Sequence, residues 1–226
     1  MDQKSTFRKP CLLLFCLFIS FRANAQVLEP GLAANLHAGA TQAFTDVTQS
    51  DVNVSYGAAL QYNIGSFSFF NTEYSMGRLS RVELDRYGKS YANNYKRVTA
   101  TANISLGQFL DPDPQTAHYF IYNIYAGTGL GIIWTDISEP NALTPDNFGG
   151  ITYKGMALTL PVNLGVNFKL LAFIYADSPI SYNLNLQHNF AFTEMLDGYD
   201  PANSDNKMKD SFSTVNFGLK YNFGRR

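Results

Sequence analysis

Cysteine is almost absent from this chain of 226 residues. Its two cysteines, Cys11 and Cys16, both lie within the first 25 residues, which we predict below to be removed. The mature protein would then have no thiol, no disulfide framework and no cysteine-ligated metal site. An exported protein without disulfides needs stability from another source, either a large core or a closed, hydrogen-bonded barrel.

The first 25 residues have the organisation of a secretory signal peptide. A positive segment is followed by an apolar stretch at residues 10–21 and by a cleavage site of the A-x-A type, the positive residues being Lys4, Arg8 and Lys9 and the site Ala23-Asn24-Ala25. We predict a cleaved signal peptide at residues 1–25 and a single barrel domain at residues 26–226.

Two other interpretations of this segment are weaker. A membrane-anchoring helix needs roughly 20 apolar residues, and the run here has about 12 before Arg22. A lipoprotein signal would have a small residue where bulky Phe15 precedes Cys16.

Long apolar runs and an excess of positive charge are also missing. After residue 25, no apolar stretch reaches the length that a membrane-spanning helix requires. The same part of the chain carries 13 Lys and Arg against 17 Asp and Glu, a net charge of −4. This balance provides no basic field for nucleic acid, so no nucleic-acid partner is expected.

The chain does contain a regular alternation of large apolar and small polar residues. It is clearest at residues 52–64, 98–106, 156–168 and 215–223, where one phase consists only of apolar residues and Tyr. In the first stretch the other phase reads Asn53, Ser55, Gly57, Ala59, Gln61 and Asn63. Small amides and glycines suit a narrow lumen, whereas a water-facing strand is usually rich in Lys, Glu and Thr. The pattern therefore predicts a β-barrel whose apolar face lies in lipid.

Extended along the chain, the pattern predicts an all-β, up-and-down antiparallel eight-stranded transmembrane β-barrel. The predicted strands are Leu32–Thr41, Val52–Ile64, Phe67–Arg78, Tyr95–Phe109, Tyr119–Trp134, Met156–Phe168, Tyr182–Phe192 and Phe212–Phe223.

The predicted connections alternate in length. Those at 65–66 and 110–118 are short or moderate, and the longer polar ones are at 42–51, 79–94, 135–155 and 193–211. Long loops on one side are typical of outer-membrane barrels and predict that both termini face the periplasm. The apolar connection 169–179 departs from this rule, and it would either extend strands six and seven or form a ninth strand.

Three charged residues fall on the predicted inner phase, namely Glu73, Arg97 and Lys220. Buried charges normally need partners, so we predict that Glu73 pairs with Arg97 or Lys220 across the lumen. The alternative is that each charge reaches the nearer rim. His188 falls on the apolar phase of strand seven, at the membrane interface or behind a bulge, or as a functional lipid-facing histidine.

Aromatic residues near the predicted strand ends indicate a girdle at each membrane interface. One set is Tyr62, Phe67, Phe109, Phe168, Tyr182 and Phe223, and the other is Tyr74, Tyr95, Trp134, Tyr153 and Phe212. The alternative is simply that aromatic residues favour strands.

With these features the chain resembles the small eight-stranded outer-membrane barrels, the OmpA transmembrane domain and the OmpX-like proteins. The resemblance covers nearly all of residues 31–223 and is carried by the final strand, Val215-Asn216-Phe217-Gly218-Leu219-Lys220-Tyr221-Asn222-Phe223. The segments 73–79 and 193–200 are also similar to the generic outer-membrane β-barrel domain. The resemblance implies that the barrel-insertion machinery reads this strand through Phe217, Tyr221 and Phe223. Such strands usually end in Phe, whereas Gly224-Arg225-Arg226 follows here.

Three candidate sites for chemistry are weaker than their structural alternatives. Of the three histidines, His118 falls in a turn, and His37 and His188 lie on opposite phases, so no His-Ser-acid spacing repeats on one face. The acidic residues Asp197, Asp200, Asp205 and Asp210 do not have EF-hand spacing, which favours a solvated loop over a Ca²⁺ site. The run Gly127-Thr128-Gly129-Leu130-Gly131 lies within a strand, which favours lumen packing over a phosphate loop.

The sequence therefore predicts a non-enzymatic, integral outer-membrane barrel with a structural or surface-interaction role and a side-chain-filled lumen. Its expected partners are outer-membrane lipid, lipopolysaccharide and the insertion machinery, and no catalytic residue, cofactor or metal is expected. The alternatives are a narrow channel for small solutes, a lipid A-modifying enzyme with His37 or His188 beside a Ser and an acid, and an accessory subunit of an envelope complex.

Overall fold

Eight antiparallel strands close into a barrel in sequence order, as the sequence predicts. The computed structural model describes residues 31–45, 50–81, 83, 90–110, 120–138, 153–168, 179–193, 196–197 and 209–223. The strands are β1 Gly31–Phe44, β2 Asn53–Asn63, β3 Ser68–Arg81, β4 Tyr91–Ser105, β5 Ile124–Ser138, β6 Tyr153–Phe168, β7 Ile180–Ala191 and β8 Ser211–Asn222. Among the described residues, no helix is both long and apolar enough to cross a membrane.

The barrel is closed by pairing of the first strand with the last. β1 bonds to β2 on one side and to β8 on the other, with Leu36 opposite Ala58 and Leu219. Followed once around the barrel, the pairing that starts at Leu32 returns to β1 at Gln42, ten residues further along. A stagger of this kind requires strands that tilt strongly against the barrel axis.

The fourth and fifth strands lie about four residues from their predicted positions. β4 ends at Ser105 rather than Phe109, because residues Leu106–Gln108 form a 3-10 turn in which Phe109 N–H bonds to the Leu106 carbonyl. Gly107 permits this turn, since a Cβ there would collide with the ring of Phe67. β5 begins at Ile124 rather than Tyr119, after a helical turn at residues 120–122.

The apolar connection between strands six and seven lies at residues 169–178, outside the described part of the chain. The described strands form the ring without a ninth member, because β6 pairs directly with β7 and β7 with β8. The expectation that this connection extends strands six and seven therefore stays a prediction.

The outer wall of the barrel is apolar, and its interior is largely polar. Large apolar side chains are exposed along every strand, among them Leu36, Val54, Leu60, Phe70, Val98, Leu130, Met156, Leu164, Leu186 and Phe217. The alternate residues are buried and mostly polar, as in β7, where Asn183, Asn185, Gln187 and Asn189 line the lumen. This distribution is the inverse of a water-soluble sheet and matches a wall that faces lipid.

Leu36→Arg should impair assembly of the barrel into membranes. Leu36 is 68% exposed in the middle of β1, and a cation at the bilayer midplane costs about 2–4 kcal/mol. Refolding into phosphatidylcholine vesicles followed by urea titration measures the loss. Leu36→Ala, the matched control, should lose much less, and equal effects of the two substitutions would contradict a lipid-facing wall.

Candidate functional site

The middle of the lumen holds a buried ion pair between neighbouring strands. Arg97 on β4 donates from Nη2 to Oε1 of Glu73 on β3 at 2.8 Å and from Nε to the Ser75 hydroxyl at 3.1 Å. Glu73 lies diagonally from Arg97 in the β3–β4 register, so the bond runs along the wall rather than across the lumen. His37 on β1 approaches from the other side, with Nε2 3.9 Å from the same carboxylate oxygen.

The Arg97 side chain is fully buried, and its surroundings compensate the charge in two ways. The carboxylate of Glu73 neutralises it, and the guanidinium carbon lies 5.4 Å from the ring centroid of Phe212. An aromatic face attracts a cation more strongly where water is excluded. The pair therefore fixes the positions of β3, β4 and β8 around one charge.

Lys220 lies away from this pair, toward the short-turn end of the lumen. It is 4% exposed and donates from Nζ to Gln61 Oε1 at 3.0 Å and to Asn167 Oδ1. The ammonium also lies 5.9 Å from the ring centroid of Phe69. The structure therefore brings Glu73 and Arg97 together and leaves Lys220 with amide oxygens, and none of the three side chains extends to a rim.

Between these two layers the lumen is filled by amides. Asn163 donates to Asn103 Oδ1 at 3.3 Å, and Asn183 donates to the Tyr125 hydroxyl at 3.0 Å. The cavity that remains has a volume of about 20 Å³. That is about enough for one water molecule and far below the roughly 300–1,000 Å³ of a small-molecule pocket.

Toward the long loops, a hydrophobic cluster closes the lumen. It is formed by Leu79, Tyr91, Tyr95, Ile133, Leu196 and Phe212, with Ala43 and Ala191. The rings of Tyr95 and Phe212 pack against each other at 5.4 Å. The cluster and the amide layer together separate the two ends of the barrel.

The placement of Tyr95 and Phe212 in an outer aromatic girdle is wrong. A strand alternates every residue, so Tyr95 shares the inner phase of β4 with Arg97, and Phe212 shares that of β8 with Lys220. Both side chains are buried. Tyr74 and Trp134 do point outward at this end, and Tyr62, Phe168 and Tyr182 point outward at the other. The Tyr153 side chain lies outside the described part of the structure.

A piece of the connection between β7 and β8 is held inside the mouth of the barrel. Leu196 packs into the hydrophobic cluster, its N–H donates to Asp210 Oδ2 at 2.8 Å, and its carbonyl accepts from Asn93 Nδ2 at 2.8 Å. Asp197 and Asp210 are both buried. The interpretation of a solvated acidic loop is therefore wrong for these two residues, because the carboxylate of Asp210 bonds the loop backbone. Asp200 and Asp205 lie outside the described residues.

The glycines of β5 serve the packing of the wall against its neighbour. Gly127, Gly129 and Gly131 all lie on the inner phase. A Cβ on Gly129 would collide with the carbonyl oxygen of Ala100, and one on Gly127 with the Asn103 amide. Their spacing thus reflects close approach between β4 and β5, in agreement with the lumen-packing interpretation.

The histidines occupy different environments. His37 lines the lumen, and His118 lies outside the described residues. His188 points outward near the long-loop end, where Nδ1 lies 2.8 Å from the Ser213 hydroxyl and the ring packs edge-on against Phe190 at 4.5 Å. The register of β7 runs past His188 without a bulge. Among the described residues, no carboxylate lies within ion-pair distance of His188 and no group of three or more His, Cys, Asp or Glu is arranged to hold a metal ion.

The aromatic residues of the final strand lie on the outer wall. Phe217 stacks on Tyr182 at 5.8 Å, and Tyr221 packs edge-on against Phe223 at 5.0 Å. The Phe223 N–H bonds to the Leu32 carbonyl at 2.7 Å, so this end of β8 is tied to β1. An outward, exposed position is what recognition of these side chains by another protein requires, and that role stays a prediction.

Comparison with known proteins shows the fold. No protein-family model and no curated protein matches the chain. Among solved structures, Ail, the attachment invasion locus protein of Yersinia pestis in complex with the heparin analogue sucrose octasulfate, is similar with a TM-score of 0.50, 11% identity and coverage of 87% of this chain and 100% of that one. Neisserial surface protein A gives a TM-score of 0.49 at 13% identity, covering 84% of this chain and 96% of that one. OprG from Pseudomonas aeruginosa gives 0.42 at 11%, covering 88% and 99%. These proteins are small outer-membrane barrels, so the expected eight-stranded architecture is confirmed.

Glu73→Ala should destabilise the barrel by about 3–5 kcal/mol, because it leaves the guanidinium of Arg97 buried without its carboxylate. Urea unfolding of the protein in lipid vesicles measures the change. The double variant Glu73→Gln/Arg97→Met should recover part of the loss, since it removes both charges at similar volume. A loss below about 1 kcal/mol for Glu73→Ala would show that the pair does not hold the lumen together.

Proposed function

We propose that this protein is a non-enzymatic, integral outer-membrane barrel with a structural or surface-interaction role and a lumen that does not conduct. The observation that carries the proposal is the combination of an apolar outer wall with an interior filled along its length by side chains. The wall supports residence in lipid. The filled interior supports a role exerted from the surface rather than through the lumen.

The direction of the barrel follows from its connections. The long connections, which follow β1, β3, β5 and β7, lie at one end, and both ends of the described chain, Gly31 and Phe223, lie at the other. We place the long loops outside the cell and the termini in the periplasm, as is usual for such barrels. Residues 1–25 would act as the cleaved signal peptide, and the outward aromatics of β8 would be read by the insertion machinery.

A surface-interaction role agrees with the way the mouth is built. The bonds of Leu196 to Asp210 and Asn93 anchor the longest-range part of the β7–β8 connection to the rigid wall. Loops on a rigid scaffold are the usual carriers of binding residues in barrels and sandwiches. The ligand or partner of these loops is the part of the proposal for which the chain itself offers no chemistry.

Planar-bilayer recording tests the closed lumen. The refolded mature protein should show no discrete openings, because the cavity left between the amides holds about one water molecule. Reproducible small conductance that changes in Lys220→Ala or Glu73→Ala would contradict the proposal and make the lumen the functional site. Leu60→Ala on the outer wall is the matched control and should behave like wild type.

A lipid-surface hydrolase is a second candidate, favoured by the 2.8 Å contact between His188 and Ser213 on the outer wall. A hydroxyl beside an imidazole is the arrangement of a nucleophile and its general base. Fatty acid released from mixed phospholipid and lipid A vesicles, and lost in both Ser213→Ala and His188→Gln, would support this activity. The non-enzymatic proposal expects no release from wild type, and then the pair serves to satisfy two polar groups on an apolar surface.

A further inference from the structure

Charged side chains on the outer wall are confined to one quarter of it. Within the described strands, four charged residues lie on the outward phase, namely Arg78, Lys96, Asp136 and Lys154. They lie on four consecutive strands, β3 to β6, and all near the long-loop end. The outward phase of the other described strands carries none, so this patch is a specific feature of one side.

The pairing register places two of the cations side by side. Arg78 lies opposite Asn94, and Lys96 lies two residues further along β4 on the same face, so the two are diagonal neighbours. Diagonal neighbours in an antiparallel pair are about 7–8 Å apart at their backbones, within reach of long side chains. Both side chains are exposed, and they can bring their donors to one anion.

The nearby carboxylate is already engaged. Asp136 lies opposite Lys154 and contacts its Nζ at 3.0 Å. In the part of the chain that the structure describes, no carboxylate lies within ion-pair distance of Arg78 or Lys96. Arg78 and Lys96 thus present two positive charges to whatever surrounds the wall.

The surface beneath these cations is suited to a lipid. Lys96 lies between Met76 and Trp134 in the register, and the next row toward the barrel middle is Tyr74, Val98, Ile132 and Leu158. Trp134 is 40% exposed, and tryptophan is enriched at the level of lipid headgroups. A cation directly above an apolar wall matches a molecule with an anionic head and acyl chains.

We propose that Arg78 and Lys96 form a binding site for the phosphate of a membrane lipid, whose acyl chains pack on the wall below Trp134. The inference rests on the proposed function, since it requires the barrel to lie in a bilayer. The occupant is a lipid bearing a phosphomonoester, because that headgroup offers the oxygens that Arg binds bidentately and that Lys binds as a point charge. Each basic residue at an anionic membrane surface contributes about 1 kcal/mol, or roughly fivefold in affinity.

The chain contains its own reporter for this site. Trp134 is the single tryptophan of the protein and lies directly opposite Lys96. The full mature protein is reconstituted into phosphatidylcholine vesicles doped with phosphatidic acid or phosphatidylcholine that carries bromine on its acyl chains. Bromine quenches tryptophan fluorescence on contact, so the ratio of the two quenching curves gives the preference of the site for the phosphomonoester.

Wild type should prefer brominated phosphatidic acid by on the order of tenfold, and Arg78→Gln/Lys96→Gln should reduce the preference to about one. Lys96→Gln alone should retain an intermediate preference. Lys209→Gln, an exposed cation near the same end that lies 5.2 Å over the Phe192 ring, is the matched control and should keep the wild-type ratio.

The outcomes separate the two levels of the argument. Equal quenching of wild type by both lipids would overturn the headgroup site while leaving the barrel in the membrane. An absence of quenching by either lipid would show that Trp134 does not face acyl chains, and the proposed membrane location would fail with it. A preference that survives in the double variant would place the anion site elsewhere on the wall.

Discussion

Closure of the backbone hydrogen-bond network is the constraint on which the rest of this structure depends. Each of the eight strands bonds to two neighbours, and β1 bonds to β8, so no strand has a free edge. In a lipid environment an unpaired backbone group costs several kcal/mol, and only helices and closed barrels avoid that cost. Once the ring is closed, the alternation of side chains leaves one face for the wall and one for the lumen.

A ring of eight strands then sets the problem of the interior. The lumen is too narrow for free solvent and too polar to be a hydrophobic core, so its side chains must satisfy each other. They do this in layers, with an aromatic and aliphatic cluster at the long-loop end, Glu73 and Arg97 below it, and amides around Lys220 at the other end. Each layer links strands that are distant in sequence, so the polar network specifies which strands lie face to face.

Periodicity in the sequence predicted which residues face the lumen, and long-range contacts decided what they do there. The two-residue period placed Glu73 and Asn183 inside correctly, and the same rule applied to Tyr95 would have placed it beside Arg97 instead of in a girdle. The insertion of Leu196 into the mouth carries no local signal, because it depends on Asn93 and Asp210. Similarly, the contact of His188 with Ser213 follows from a register between two strands that periodicity alone does not define.

The pairing of β1 with β8 also imposes an order of events on the making of the molecule. The two strands that seal the ring are the first and the last to leave the ribosome, so a partly synthesised chain has a free edge at β1 until β8 is complete. Exposed strand edges and apolar faces promote aggregation, and such a chain needs protection in transit. The seal therefore makes maturation an all-or-none event, in which the final twelve residues of β8 convert a sticky sheet into a closed surface.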